Sequence, residues 1–114
     1  MDLHKMKCVP CEGGTPPLEE SRIKELIKET PLWLIKNEHL YRSFKFKNFI
    51  ESLNFVNAVG KLSEEEGHHP DIAIHYNKVE LDLFTHAIKG LSENDFILAA
   101  KIDRLIDKIA TVTP

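Results

Sequence analysis

Residues 48–86 constrain this chain most, because they encode a complete helix and then switch at once to a period of two. Asn48 offers a side-chain oxygen to the first unpaired N–H groups of a helix, with Glu51 three residues on in a capping-box arrangement. Phe49, Leu53, Val56 and Gly60 then form one stripe at helical spacing, widened by Ile50, Val59 and Leu62. Gly67 follows as a residue able to take the positive φ that closes a helix. Residues 71–77 and 79–86 alternate instead. Ile72, Ile74 and Tyr76 share one face, and Val79, Leu81, Leu83 and Thr85 share one in the second run, with Asn77-Lys78 expected as the turn.

The flanking segments fit around this unit. Leu18 to Glu29 carries Ile23, Leu26 and Ile27 at helical spacing and stops at Thr30-Pro31. Leu40, Phe44 and Phe46 alternate with Tyr41, Ser43, Lys45 and Lys47, the pattern of a half-buried strand. Arg42 interrupts its apolar face, which suggests a place near a sheet edge. Ser92 caps a last helix running to about Thr111, whose repeating positions include Phe96, Ala99, Ala100, Asp103, Ile106 and Ile109. That apolar content is wide enough to face both a sheet and a partner chain. The expected fold is therefore α+β: an antiparallel four-stranded sheet with helices packed on one face.

At 114 residues the chain suits one domain, read as residues 18–114 behind an N-terminal extension of residues 1–17 that is rich in Gly and Pro. A net charge of −3 gives no basic footprint for nucleic acid. No apolar run approaches the roughly 18 residues of a membrane span, and the first residues lack the apolar core of a secretion signal. A soluble, cytoplasmic protein is expected. Cys8 and Cys11 have the spacing of a redox pair or half a zinc site, but His4 is the sole further ligand candidate nearby. The pair is read as inert.

Chemistry concentrates between Glu64 and Asp95. Four of the six histidines fall between positions 68 and 86, and His68-His69 sits between Gly67 and Pro70, directly after the helix. Pro70 biases His69 towards extended backbone, so the two adjacent rings should diverge. His86 closes the second run of the hairpin, where it can converge with them. Three consecutive carboxylates, Glu64, Glu65 and Glu66, oppose the helix dipole at the helix end, a local inconsistency of the kind that marks functional sites. Glu64 stands one turn before His68 and is placed to orient a ring. Residue chemistry alone leaves two readings level. One is a zinc or iron site of histidines and a carboxylate, which lacks the helical His-x-x-x-His pair; the other is metal-free acid–base catalysis.

The pattern Glu64-x3-His68-His69-Pro70-x5-Tyr76-x9-His86-x8-Asp95 resembles the signature of the pterin-4a-carbinolamine dehydratases, also called dimerisation cofactors of a homeodomain transcription factor. Thr85-His86 and Gly90-Leu91-Ser92-x-x-Asp95 extend the likeness, which covers about residues 18–112. The run from Cys8 to Leu18 is similar to the leader of bacterial and plant members and departs from the animal form. This resemblance implies dehydration of a 4a-hydroxytetrahydropterin to a quinonoid dihydropterin, in tetrahydropterin recycling, with no metal and no organic cofactor. It implies His68 and His86 as the acid–base pair and His69 as a substrate contact that shares in proton transfer. Glu64 supports the site, Pro70 shapes the loop, and Thr85 hydrogen-bonds the pterin. Asp95, three residues after Ser92, is read first as a capping-box partner, and Tyr76 as packing. The resemblance further implies a homodimer through sheet edges or a homotetramer through helices. Competing readings are a non-catalytic binding module or a transcriptional coactivator, a role in which animal relatives also act, and a dehydratase of another pterin.

Overall fold

The computed structural model describes residues 2–10 and 16–109. Its helices are α1 (Glu20–Ile27), α2 (Phe49–Glu66) and α3 (Glu93–Ile109), and its strands are β1 (Leu34–Lys36), β2 (His39–Lys45), β3 (Asp71–His75) and β4 (Lys78–Leu83). The strands form one antiparallel sheet in the order β1-β2-β4-β3. Leu40, Phe44, Val79, Leu81 and Leu83 are buried beneath the helices, while Ser43 and Lys45 on the opposite face are exposed. The expected α+β architecture is present. No helix among the described residues is long and apolar enough to cross a membrane.

Two tight turns set the strand registers. Lys36 pairs with His39, so Asn37 and Glu38 form a two-residue loop, both with positive φ (52° and 66°) as a hairpin of this twist requires. In the second hairpin His75 pairs with Lys78, so the loop is Tyr76-Asn77 rather than Asn77-Lys78. The Phe46 N–H donates to the Asn77 carbonyl at 2.7 Å, which pins the turn one residue earlier. Tyr76 takes φ 53° and is 64% exposed, so it does not pack beside Ile72 and Ile74.

Helix α2 begins as expected, with the Asn48 side chain accepting the Glu51 N–H at 3.0 Å. Its core face is rotated from the expected stripe. Ser52, Phe55, Val59 and Ser63 are buried, whereas Phe49 and Ile50 are exposed. Packing decides this: the Phe55 ring lies against Phe44 and Phe46, at centroid distances of 4.7 and 5.0 Å. The hydroxyls of Ser52 and Ser63 turn back onto carbonyls of their own helix, so two polar residues can sit on the buried face.

Arg42 lies on a central strand, not near an edge. It is buried because it finds partners there: its guanidinium stands 4.3 Å from the Phe44 ring centroid and donates to the Asp103 carboxylate of α3 at 2.5 Å. The Trp33 indole N–H donates to the same oxygen at 2.8 Å. Burial pushes the Asp103 carboxyl above its ordinary value, against the lowering effect of these two donors. The first half of α3 is buried on nearly every side, from Asn94 to Ala99. Its second apolar side, read from sequence as available to a partner chain, packs in part on the chain's own N-terminal segment, where Leu3 is 2% exposed. Replacing Arg42 by Met should lower unfolding stability by roughly 2–3 kcal/mol, less than a fully buried pair would lose because Asp103 keeps some solvent contact. Urea denaturation checks this, with an unchanged m-value expected.

Candidate active site

The site is assembled where α2 ends, where β4 ends and where α3 begins. Gly67 adopts φ 66° and its N–H returns to the Ser63 carbonyl; the His68 N–H does the same at 3.2 Å. This closure fixes the backbone of His68 directly at the helix end. Beyond Leu83 the chain does not continue as strand through His86. It passes through a one-turn 3-10 segment, His86–Ile88, inside a loop closed by the Thr85 N–H to the Gly90 carbonyl at 3.0 Å. Lys89 takes φ 54° in that loop. Gly90 is needed for space, since a Cβ there would lie 2.4 Å from the Pro17 Cβ.

Asp95 ties these pieces together and is completely buried. One carboxylate oxygen accepts the Ser92 N–H at 2.9 Å, which is the expected capping contact, and the Thr85 hydroxyl at 2.8 Å. The other lies 2.6 Å from the His68 Nε2. A carboxylate only accepts, so against an ionised Asp95 this bond is made by an Nε2–H of His68. Asp95 thus caps α3 and also orients a histidine. His69 diverges from His68, as Pro70 led us to expect, and its Nε2 meets the Glu64 carboxylate at the solvent-exposed side. Glu64 therefore serves His69, not His68.

His68, His69 and His86 line one cavity of about 410 Å³, together with Phe84, Thr85 and Ala87. The His86 ring is exposed and meets Phe84 edge-on at 5.2 Å. The other side of Phe84 is supported by His39, stacked at 4.1 Å and itself bonded to Asp82. Of the site residues expected from sequence, the three histidines and Thr85 reach the cavity. Glu64 and Asp95 stand behind histidines, and Pro70 immediately precedes β3. Tyr76 is remote from this constellation, at the far turn of the β3–β4 hairpin.

The cavity residues that were not read from sequence as part of the site include three supplied by the leader and α3. Val9, Pro10 and Asn94 line the same space. The leader reaches it because Leu3 and Cys8 are buried against the domain. Burial and the neighbouring Glu66 push the Cys8 thiol up to about 12, so it remains protonated and unreactive near neutral pH. Cys11 lies outside the described residues. Among the described residues no three His, Cys, Asp or Glu side chains come together as a metal-ligand group.

Comparison with known proteins fits this geometry. The Pterin 4 alpha carbinolamine dehydratase family matches residues 16–105. The chain belongs to that family. It is 50% identical over 105 residues to a protein of Rubrobacter xylanophilus assigned by name as a pterin-4-alpha-carbinolamine dehydratase, covering 91% of this chain and 98% of that one. A protein of Alkaliphilus metalliredigens with the same assigned name is also 50% identical over 105 residues, covering 90% and 95%. The crystal structure of a transcriptional coactivator/pterin dehydratase from Brucella melitensis superposes with a TM-score of 0.74 at 32% identity, covering 78% of this chain and 97% of that chain.

Two substitutions separate the buried and exposed histidine supports. Asp95→Ala removes three hydrogen bonds at a buried site and should destabilise the fold by about 2–4 kcal/mol. His69→Ala, on an exposed ring, should change stability by less than about 0.5 kcal/mol. Chemical denaturation of both variants measures the contrast.

Proposed function

We propose that this chain dehydrates a 4a-hydroxytetrahydropterin to a quinonoid dihydropterin and water, as its family name indicates, within tetrahydropterin recycling. The observation that carries this reading is the convergence of His68, His69 and His86 on one cavity, with the His68 ring held by a buried carboxylate. The reaction needs two proton transfers and no electron transfer. An acid protonates the oxygen on C4a, and the C–O bond breaks with its electron pair leaving in water. A base takes the adjacent ring N–H proton, and the N–H electrons become the new C=N bond. Histidine can perform either transfer near neutral pH, and each contributes about 10²–10⁴-fold.

His68 and His86 form the acid–base pair in this proposal, and His69 contacts the substrate and shares in proton transfer. Asp95 is a positioning residue that fixes the His68 tautomer, and Glu64 does the same for His69. Thr85 commits its hydroxyl to Asp95, so it supports the pterin site through Asp95 and its main chain. No metal and no organic cofactor take part. We place the protein in the cytoplasm as a homodimer or homotetramer. The exposed Phe49 and Ile50 on α2, and Ile72 on the edge strand β3, support such assembly.

His68→Ala and His86→Ala should each reduce the breakdown of 4a-hydroxytetrahydropterin by about 10²–10⁴-fold, in a stopped-flow assay on the purified protein. Treatment with a chelator should leave the parent rate unchanged. Parent-level rates in both variants would remove the histidines from the chemistry. An inactive parent would favour the binding-module alternative, which the coactivator label of the Brucella structure keeps in view.

A further inference from the structure

We infer that the N-terminal leader supplies a wall of the pterin cavity, and that Asn94 is the positioning residue that fastens it there. The inference rests on the dehydratase reading above and adds a determinant of substrate affinity to it.

The Asn94 side chain is buried and grips one leader residue at both polar atoms of its backbone. Its Oδ1 accepts the Val9 N–H at 2.9 Å, and its Nδ2 donates to the Val9 carbonyl at 2.5 Å. Such a two-point amide pairing fixes the direction of the strap as well as its position. One residue earlier, the Cys8 N–H donates to Glu66 Oε1 at 3.0 Å, and its Sγ lies 3.6 Å from the Asn94 carbonyl. Glu66 in turn accepts Lys101 Nζ at 2.8 Å. Burial works against the Glu66 charge, but Lys101 and the Cys8 N–H outweigh it and hold the carboxyl below its ordinary value. The strap is therefore tied to the end of α2 and to the start of α3.

Those are the two helix termini that also hold the histidines. Asn94 takes the leader while its neighbour Asp95 takes His68; Glu66 takes the leader while Glu64 takes His69. The two sets of bonds share helices but no side chain. Between them, Val9 and Pro10 face the same cavity as His68, His69 and His86, and Val9 is 64% exposed. An exposed apolar side chain and a proline ring, both rigid, on the wall of a histidine-lined cavity suit contact with a flat heteroaromatic ring. Releasing the strap should weaken binding and leave proton transfer intact, because the bonds that orient the histidines are untouched.

The test uses the full chain with Asn94→Ala, and Glu66→Gln as a second, milder release. Hydrogen exchange of the leader amides reports strap attachment without any reference to activity. Steady-state kinetics give KM and kcat, and titration with a stable 7,8-dihydropterin gives Kd. We expect faster exchange at the Cys8 and Val9 amides, KM and Kd raised about tenfold in Asn94→Ala, and kcat within about threefold of the parent, a tenfold change corresponding to about 1.4 kcal/mol. Glu66→Gln should move the same way by a smaller factor. Faster leader exchange with unchanged KM and Kd would overturn the wall, and unchanged exchange would overturn Asn94 as its fastening. A kcat loss without a KM change would transfer Asn94 to the histidine machinery and also overturn the inference. A parent that binds dihydropterin but does not turn over would sink the dehydratase reading alone, and the Kd comparison would still judge the wall. A parent that binds no pterin would overturn both.

Discussion

A carboxylate taken out of water must recover its lost hydration from donors fixed in the protein, and Asp95 recovers it from three. The Ser92 N–H, the Thr85 hydroxyl and the His68 ring all point at its two oxygens. Each donor belongs to a different piece of chain: the start of α3, the loop after β4 and the loop after α2. Unpaired burial of that charge would cost several kcal/mol, so the three pieces are held in one arrangement for as long as the carboxylate is to be satisfied. The position of His68, and the closed form of the loop bearing His86, both follow from this one group.

The sheet and its aromatic layer provide the rigid backing. Phe44, Phe46 and Phe55 pack in a continuous cluster, and Arg42 is accommodated inside it because Asp103 and the Phe44 ring receive its charge. The rotation of α2 follows from the same cluster: Phe55 meets the rings of Phe44 and Phe46, and smaller or polar residues fill the rest of that face. The stripe left outside, with Phe49 and Ile50, is apolar surface that a periodicity argument assigns to the core. Helical spacing identifies an apolar arc, but volume and ring packing choose which part of it is buried.

The cavity histidines were legible because their residue type, adjacency and Gly-Pro framing are properties of the chain itself. Their partners were less so. Glu64 lies four residues before His68 and five before His69, and spacing cannot say which ring the carboxylate meets once Gly67 has reversed the backbone. Asp95 was legible as a cap, since capping acts over three residues. Its bond to His68 spans 27 positions and exists only because α3 is laid across the end of α2. Phe84, His39 and Asn94 carry no motif and become visible only as neighbours in space. The same holds for the leader, which composition presents as a Gly- and Pro-rich tail and which the fold seats beside the cavity through Leu3, Cys8 and Val9.

By itself, then, the sequence determined the α+β order of elements, both ends of α2 and the start of α3, since these depend on contacts within a turn or on an alternation along a strand; the expected end of α3 near Thr111 lies outside the described residues. Tertiary structure alone decided which face of α2 is core, that the second turn forms at Tyr76-Asn77, that Arg42 belongs to a central strand, and that Asn94 holds Val9 beside the histidine-lined cavity. Those outcomes depend on long-range partners competing for the same space and the same hydrogen bonds, and no local pattern records who wins.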